Sequence, residues 1–124
     1  MYFEEALRAE LDTIEELTNK VFPLTAPEGT EAPYIIYVSS EGIQDKSLQG
    51  YLSSKEVPCE INILVDDYLS LKELTTTVLA KILSFQGHKI GDFFIQDVSY
   101  EKPVEIYEQE VDLYRSVIDF TFYF

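Results

Sequence analysis

Val57-Pro58-Cys59-Glu60-Ile61-Asn62-Ile63-Leu64-Val65-Asp66 carries the clearest alternation in the chain. Val57, Cys59, Ile61, Ile63 and Val65 fall on one side of an extended chain, and Pro58, Glu60, Asn62, Leu64 and Asp66 on the other. A period of two with one apolar side describes an antiparallel strand with one covered face. A cover follows at once in the chain. Leu71, Leu74, Val78, Ile82 and Phe85 recur at helical spacing, Ser70 with Glu73 three residues on has the form of a capping box, and Gly87 supplies a stop.

On both sides of this strand and helix the same two periods recur. Phe3, Leu7, Leu11, Ile14 and Leu17 form one stripe of an amphipathic helix near the start, which Asn19 can close. Residues 22–33 hold three prolines and a glycine, so they form an ordered loop that is neither helix nor inner strand. Tyr34 to Val38 is β-branched and aromatic throughout and reads as a strand flanked by others. Ser39 to Ser54 is polar and punctuated by Gly42 and Gly50, a long hairpin-like excursion with a short strand over Leu48 to Leu52. Asp92 to Tyr100 and Val111 to Phe124 read as two closing strands separated by an acidic loop, Glu101 to Glu110. In the last strand Tyr114, Ile118, Phe120, Phe122 and Phe124 share a face, opposite Arg115, Asp119 and Thr121. The expected architecture is one α+β domain over residues 1–124, an antiparallel or mixed sheet of four to five strands with two helices packed on one face.

Composition narrows the function. Nine Lys and Arg stand against 23 Asp and Glu, a formal charge of −14, while 46% hydrophobic and 14% aromatic residues distinguish the chain from a disordered acidic tail. The bases are scattered singly between carboxylates, which disfavours tight binding to nucleic-acid phosphates. The longest unbroken apolar run, Tyr34 to Val38, is far short of the roughly 20 residues a spanning helix needs. The N-terminal residues Met1 to Glu5 lack the basic leader of a signal peptide. A lone cysteine, Cys59, excludes an intramolecular disulfide and a cysteine metal cage and suits a reducing cytoplasm.

Chemistry-bearing residues are sparse. His88, the single histidine, sits in a helix-end turn with no nucleophile motif beside it. Cys59 reads as a small buried hydrophobe. Asp66-Asp67 could serve a hard divalent cation, and with it a small metal-dependent enzyme, but reads better as a helix-start turn with Asp67 or Ser70 as cap. The glycines are isolated, so no phosphate-cradling loop exists. Neither an enzyme, a cofactor nor a metal is expected.

Two segments carry a resemblance. Val21 to Tyr37, VFPLTAPEGTEAPYIIY, resembles the signature of the tail completion or tail terminator proteins of tailed phages and related prophages. Leu113 to Phe124, with its Tyr, Arg and Asp-Phe amid apolar residues, is similar to that family's closing strand, and the order of elements between them also fits. The resemblance implies a non-enzymatic virion protein, commonly a hexameric ring, that caps the tail tube, stops its growth and docks the head connector. Its partners would be further copies of itself, the tail tube protein and the head connector or neck protein, at the tail–head junction, after assembly in the host bacterial cytoplasm.

A ring built head to tail needs two different complementary surfaces on each copy. The long excursion offers Ile43, Gln44, Leu48, Tyr51 and Leu52, and the acidic loop offers Tyr107. DNA would pass through the lumen without specific binding, and Glu101, Glu105, Glu108, Glu110 and Asp112 are candidates for a repelling wall. Two other readings stand beside this one: a head-completion or neck protein on the portal side, and an acidic DNA mimic that inhibits a nucleic-acid enzyme.

Overall fold

A computed structural model describes residues 2–124, with the side chains of Asp45, Tyr51, Leu52 and Ser53 left aside. The first helix, α1 (Phe3–Asp12), buries Phe3, Ala6, Leu7 and Leu11. It stops short of Leu17, where the apolar stripe had extended it. The Thr13 hydroxyl bonds back to the Glu10 carbonyl at 2.6 Å, and the Asp12 carboxylate accepts the Asn19 amide at 2.6 Å. These local bonds compete with the helical ladder. A short 3-10 turn, Glu15–Leu17, follows and still delivers Leu17 to the core, and Asn19, with φ +61°, ends that turn rather than the helix.

The proline-rich segment opens with a short outer strand, β1 (Val21–Pro23), parallel to β2 (Tyr34–Ser39). Proline at its end is tolerated because the strand lies on the sheet edge. β3 (Ile43–Ser47) and β4 (Gly50–Val65) form a hairpin, and the 16 residues of β4 then continue into the centre of the sheet. The alternating stretch is thus one part of a longer strand. α2 (Tyr68–Leu83) buries Leu71, Leu74, Val78 and Ile82. Its N-cap is Asp67, whose carboxylate accepts both the Ser70 amide and hydroxyl at 2.8 Å; Ser70 is the third helical residue and not the cap of a box with Glu73.

β5 (His88–Ile90) and β6 (Phe93–Ile95) make a separate two-stranded hairpin, followed by β7 (Asp97–Tyr100), β8 (Val104–Glu108) and β9 (Leu113–Tyr123). The main sheet has seven strands in the path β1-β2-β4-β9-β7, with β3 on β4 and β8 on β9. It therefore exceeds the four to five strands expected. The extra strands are short edge pieces: β1, β3, and β8, which forms inside the segment expected to be an acidic loop. The run Asp92 to Tyr100 is likewise broken into β6 and β7 at Gln96.

Both helices bury their apolar residues in the same core as Val57, Cys59, Ile61, Ile63 and Val65 of β4 and Ile118, Phe120 and Phe122 of β9. Phe3 anchors α1 there, its ring 4.9 Å from Phe122 and 4.8 Å from Phe124. On the helix-free side the sheet is only partly open. Asn62 and Leu64, expected on the uncovered side, are buried, because the strand register sets Tyr34, Ile36, Arg115 and Val117 beside them. The Asn62 amide finds the Glu60 carboxylate at 2.9 Å.

Candidate assembly interface

One corner of the sheet is an arm. β2 pairs with β4 over Cys59–Leu64 and β9 pairs with it from Glu56 onward, so among the described residues β3 is the one strand that pairs with β4 before Lys55. Among the described residues the last backbone bonding to the body is that of Lys55 with Phe124. Beyond that point two strands project together and close in a turn at 47–50, where the Ser47 hydroxyl accepts the Gln49 amide at 3.2 Å and Gly50 takes φ +125°. Gly42 forms the base. Its φ is +78°, and a Cβ there would stand 2.3 Å from the Glu56 carbonyl oxygen, so this crossing admits only glycine. The Lys55 ammonium bridges to Glu41 at 3.6 Å across the same base.

The candidates Ile43, Gln44 and Leu48 all lie on this arm. Leu48 at the tip is fully exposed, at 107%, and Ile43 is exposed at 71%. Tyr51 and Leu52 belong to the arm by their backbone positions in β4, and their side chains lie outside the described residues.

The opposite corner is β8, which carries Tyr107. It pairs with Leu113–Val117 of β9, and among the described residues nothing pairs with its outer edge. Tyr107 is exposed, sits 4.9 Å from the Tyr114 ring, and donates its hydroxyl to Asp112 at 2.6 Å; that bond to a carboxylate holds the phenol above its usual range. Val104 and Ile106, two residues apart on the helix-free side of β8, are both exposed.

The five acidic candidates do not form one wall. Glu105 turns to the helix side and bonds Lys72 of α2 at 2.5 Å. Glu108 lies on the other side, 3.4 Å from Arg115 Nε, within ion-pair range although without hydrogen-bond alignment. Asp112 is held by Tyr107, with a backbone φ of +52°. Glu110 is exposed in the turn before β9. Glu101 joins Glu60 and Asp119 along a shallow cleft of about 480 Å³ on the helix-free side, which Val38, Pro58 and Thr121 also line.

The remaining chemistry-bearing residues stand apart from these corners. Cys59 is buried, and burial, reinforced by the Glu4, Glu60 and Asp119 carboxylates, pushes its thiol up to about 12. A thiol so hard to ionise is a poor nucleophile. His88 opens β5, not the helix-end turn, and is exposed, with Nδ1 3.0 Å from the Gln86 carbonyl. Asp67 is committed to its cap, whose bonds from Ser70 hold its carboxyl below the usual range. Among the described residues no three His, Cys, Asp or Glu side chains gather in a metal-binding group.

The strand β8 and the reach of the arm are what the sequence left unread. Val104-Glu105-Ile106-Tyr107 does alternate, but five carboxylates over 101–112 mask the signal. No curated protein matches the chain in sequence. A chain of the virion of a native gene transfer agent particle shares the fold, with a TM-score of 0.61 at 14% identity over 94% of this chain and 82% of the other. The family model for tail completion protein gp17 matches residues 5–124. The chain thus belongs to the family of tail completion protein gp17, and its role is a structural one in the phage tail.

Proposed function

We propose that the chain closes the head-proximal end of the tail tube as a ring of identical copies, ends tube growth and presents the surface on which the head connector docks. The observation that carries this reading is the pair of unlike surfaces at diagonally opposed corners of one sheet: the arm of β3 and β4, and the edge strand β8. A closed ring of equivalent subunits is built from heterologous contacts, which need two different patches that do not cover each other. The whole chain, residues 1–124, is read as one domain, so each copy brings both corners to its neighbours as a unit.

The lumen reading becomes narrower. Glu105 and Glu108 face cations on their own chain, and Asp112 faces Tyr107. The carboxylates left to repel passing DNA are Glu101 and Glu110, joined by Glu60 and Asp119 on the helix-free side. Charge of one sign along a channel wall keeps phosphates mobile and unbound.

Deleting the gene and imaging the lysate tests the function. Capping predicts DNA-filled heads beside unjoined tails of irregular or excessive length. Tails of normal length beside leaking heads would instead place the chain on the portal side, as a head-completion or neck protein.

A further inference from the structure

We infer that the arm of one copy seats on the β8 corner of a second copy, with Leu48 packed against the Val104 and Ile106 strip; this deepens the ring reading and rests on it. The arm cannot be explained as a connection. At roughly 3.3 Å per residue, its length beyond the Lys55–Phe124 bonding, from Gly50 to Ser54, is about 16 Å. A two-stranded hairpin is at best marginal by itself in water, so a projecting one with an exposed leucine at its tip is completed by a partner surface.

β8 has the matching features. It is five residues long, its outer main-chain groups are unpaired among the described residues, and it exposes Val104 at 56% and Ile106 at 43% on one side. Apolar side chains on an open sheet edge form a docking surface for another chain. The two corners lie on opposite edges and at opposite ends of the sheet, so contact at one leaves the other free for the next copy.

Charge selects a second copy as the occupant. Each copy carries −14, so copies repel, and contact is least costly where the least acidic element meets acid. Residues 43–54 hold Lys46 against Asp45, net zero, and Lys55 at the base is engaged with Glu41, whereas residues 101–112 hold five carboxylates and Lys102, net −4; of the five, Glu105 and Glu108 face Lys72 and Arg115. The arm is therefore a local exception to the charge of the chain, and β8 lies in one of its most acidic segments.

Cysteine cross-linking tests the pairing. The double variant Leu48→Cys with Ile106→Cys, free in concentrated solution and on tails assembled in the host, is oxidised and separated under non-reducing conditions. Cys59 is buried and stays silent. A ladder of dimer, trimer and larger species is expected, with no ladder from either single variant. Mixing gives a second readout. Leu48→Asp spoils only the arm, and Val104→Asp with Ile106→Asp spoils only the corner. Each alone should self-associate roughly tenfold more weakly or worse, while their mixture stops at dimers. Circular dichroism shows whether each variant is folded. Self-association without a ladder overturns this pairing and leaves the ring reading standing. No self-association in solution and no copies on tails overturns both.

Discussion

Replacing Gly42 with alanine should destabilise the protein by more than its backbone angle alone explains, because the base of the arm leaves no room for a methyl group. Gly42 has φ +78°, and Gly87 has φ +77°, so the two sites pose the same conformational demand. At Gly87 nothing lies within 4 Å of a built Cβ. Gly87→Ala therefore reports strain alone, about 1–2 kcal/mol for an L residue held left-handed. At Gly42 the Cβ would meet the Glu56 carbonyl oxygen at 2.3 Å and Val57 Cγ2 at 2.8 Å. The carbonyl cannot simply move aside, since Glu56 is paired with Ile43 on one side and Tyr123 on the other. Relieving the contact must open the arm from the sheet, and an overpacked site of this kind adds typically about 1–3 kcal/mol. Gly42→Ala should lose roughly 2–5 kcal/mol in all, against about 1–2 for Gly87→Ala. Equilibrium urea unfolding of both variants, with the slope checked for two-state behaviour, gives the comparison. Equal losses at the two sites would show that the Glu56 carbonyl does not crowd residue 42.

Phe3→Ala should cost about 3–5 kcal/mol, read in the same unfolding assay, because the buried ring joins α1 to Phe122 and Phe124. Asp67→Ala should lower the unfolding midpoint at neutral pH by removing the α2 cap. Its folded carboxyl lies below the unfolded value of about 3.9, so the capping contribution is present above that pH and is lost as pH falls through the lower folded value; the gap between variant and parent should close in acid, and a gap that stays constant would contradict the cap. Cys59 should resist thiol reagents in the native state and react fully in urea. With the folded thiol raised to about 12, the thiol's contribution is intact below the unfolded value of about 8.5 and falls away as pH rises above it, which thermal melts between neutral and alkaline pH will register.

The core was legible because its signals are repetitive. Val57 to Val65 alternates, α2 repeats at helical spacing, and Ile118, Phe120 and Phe122 keep one face, so tertiary packing and local pattern agree. What escaped reading was decided by few residues or by contacts distant in sequence. α1 ends at Asp12 through bonds from Thr13 and Asn19, while Leu17 reaches the core by a different route than the stripe implied. β8 exists because Val104–Glu108 finds the free end of β9, a pairing that the carboxylates around it disguise. The excursion after Ser39 was readable as a hairpin, but its projection depends on where β2 and β9 stop pairing with β4, which no local pattern records. Of the interface candidates, the residues of the arm gather at one corner and Tyr107 stands at the other, an arrangement that only the sheet order reveals.

In the proposed assembly, copies of this chain close head to tail over the end of the tail tube. A cryo-electron microscopy reconstruction of the head-proximal end of the tail would show this arrangement. A closed ring of this chain is expected there, with the arm of each copy reaching the β8 corner of the next. Copies related back to back through one shared surface, or a tube end without this chain, would contradict it.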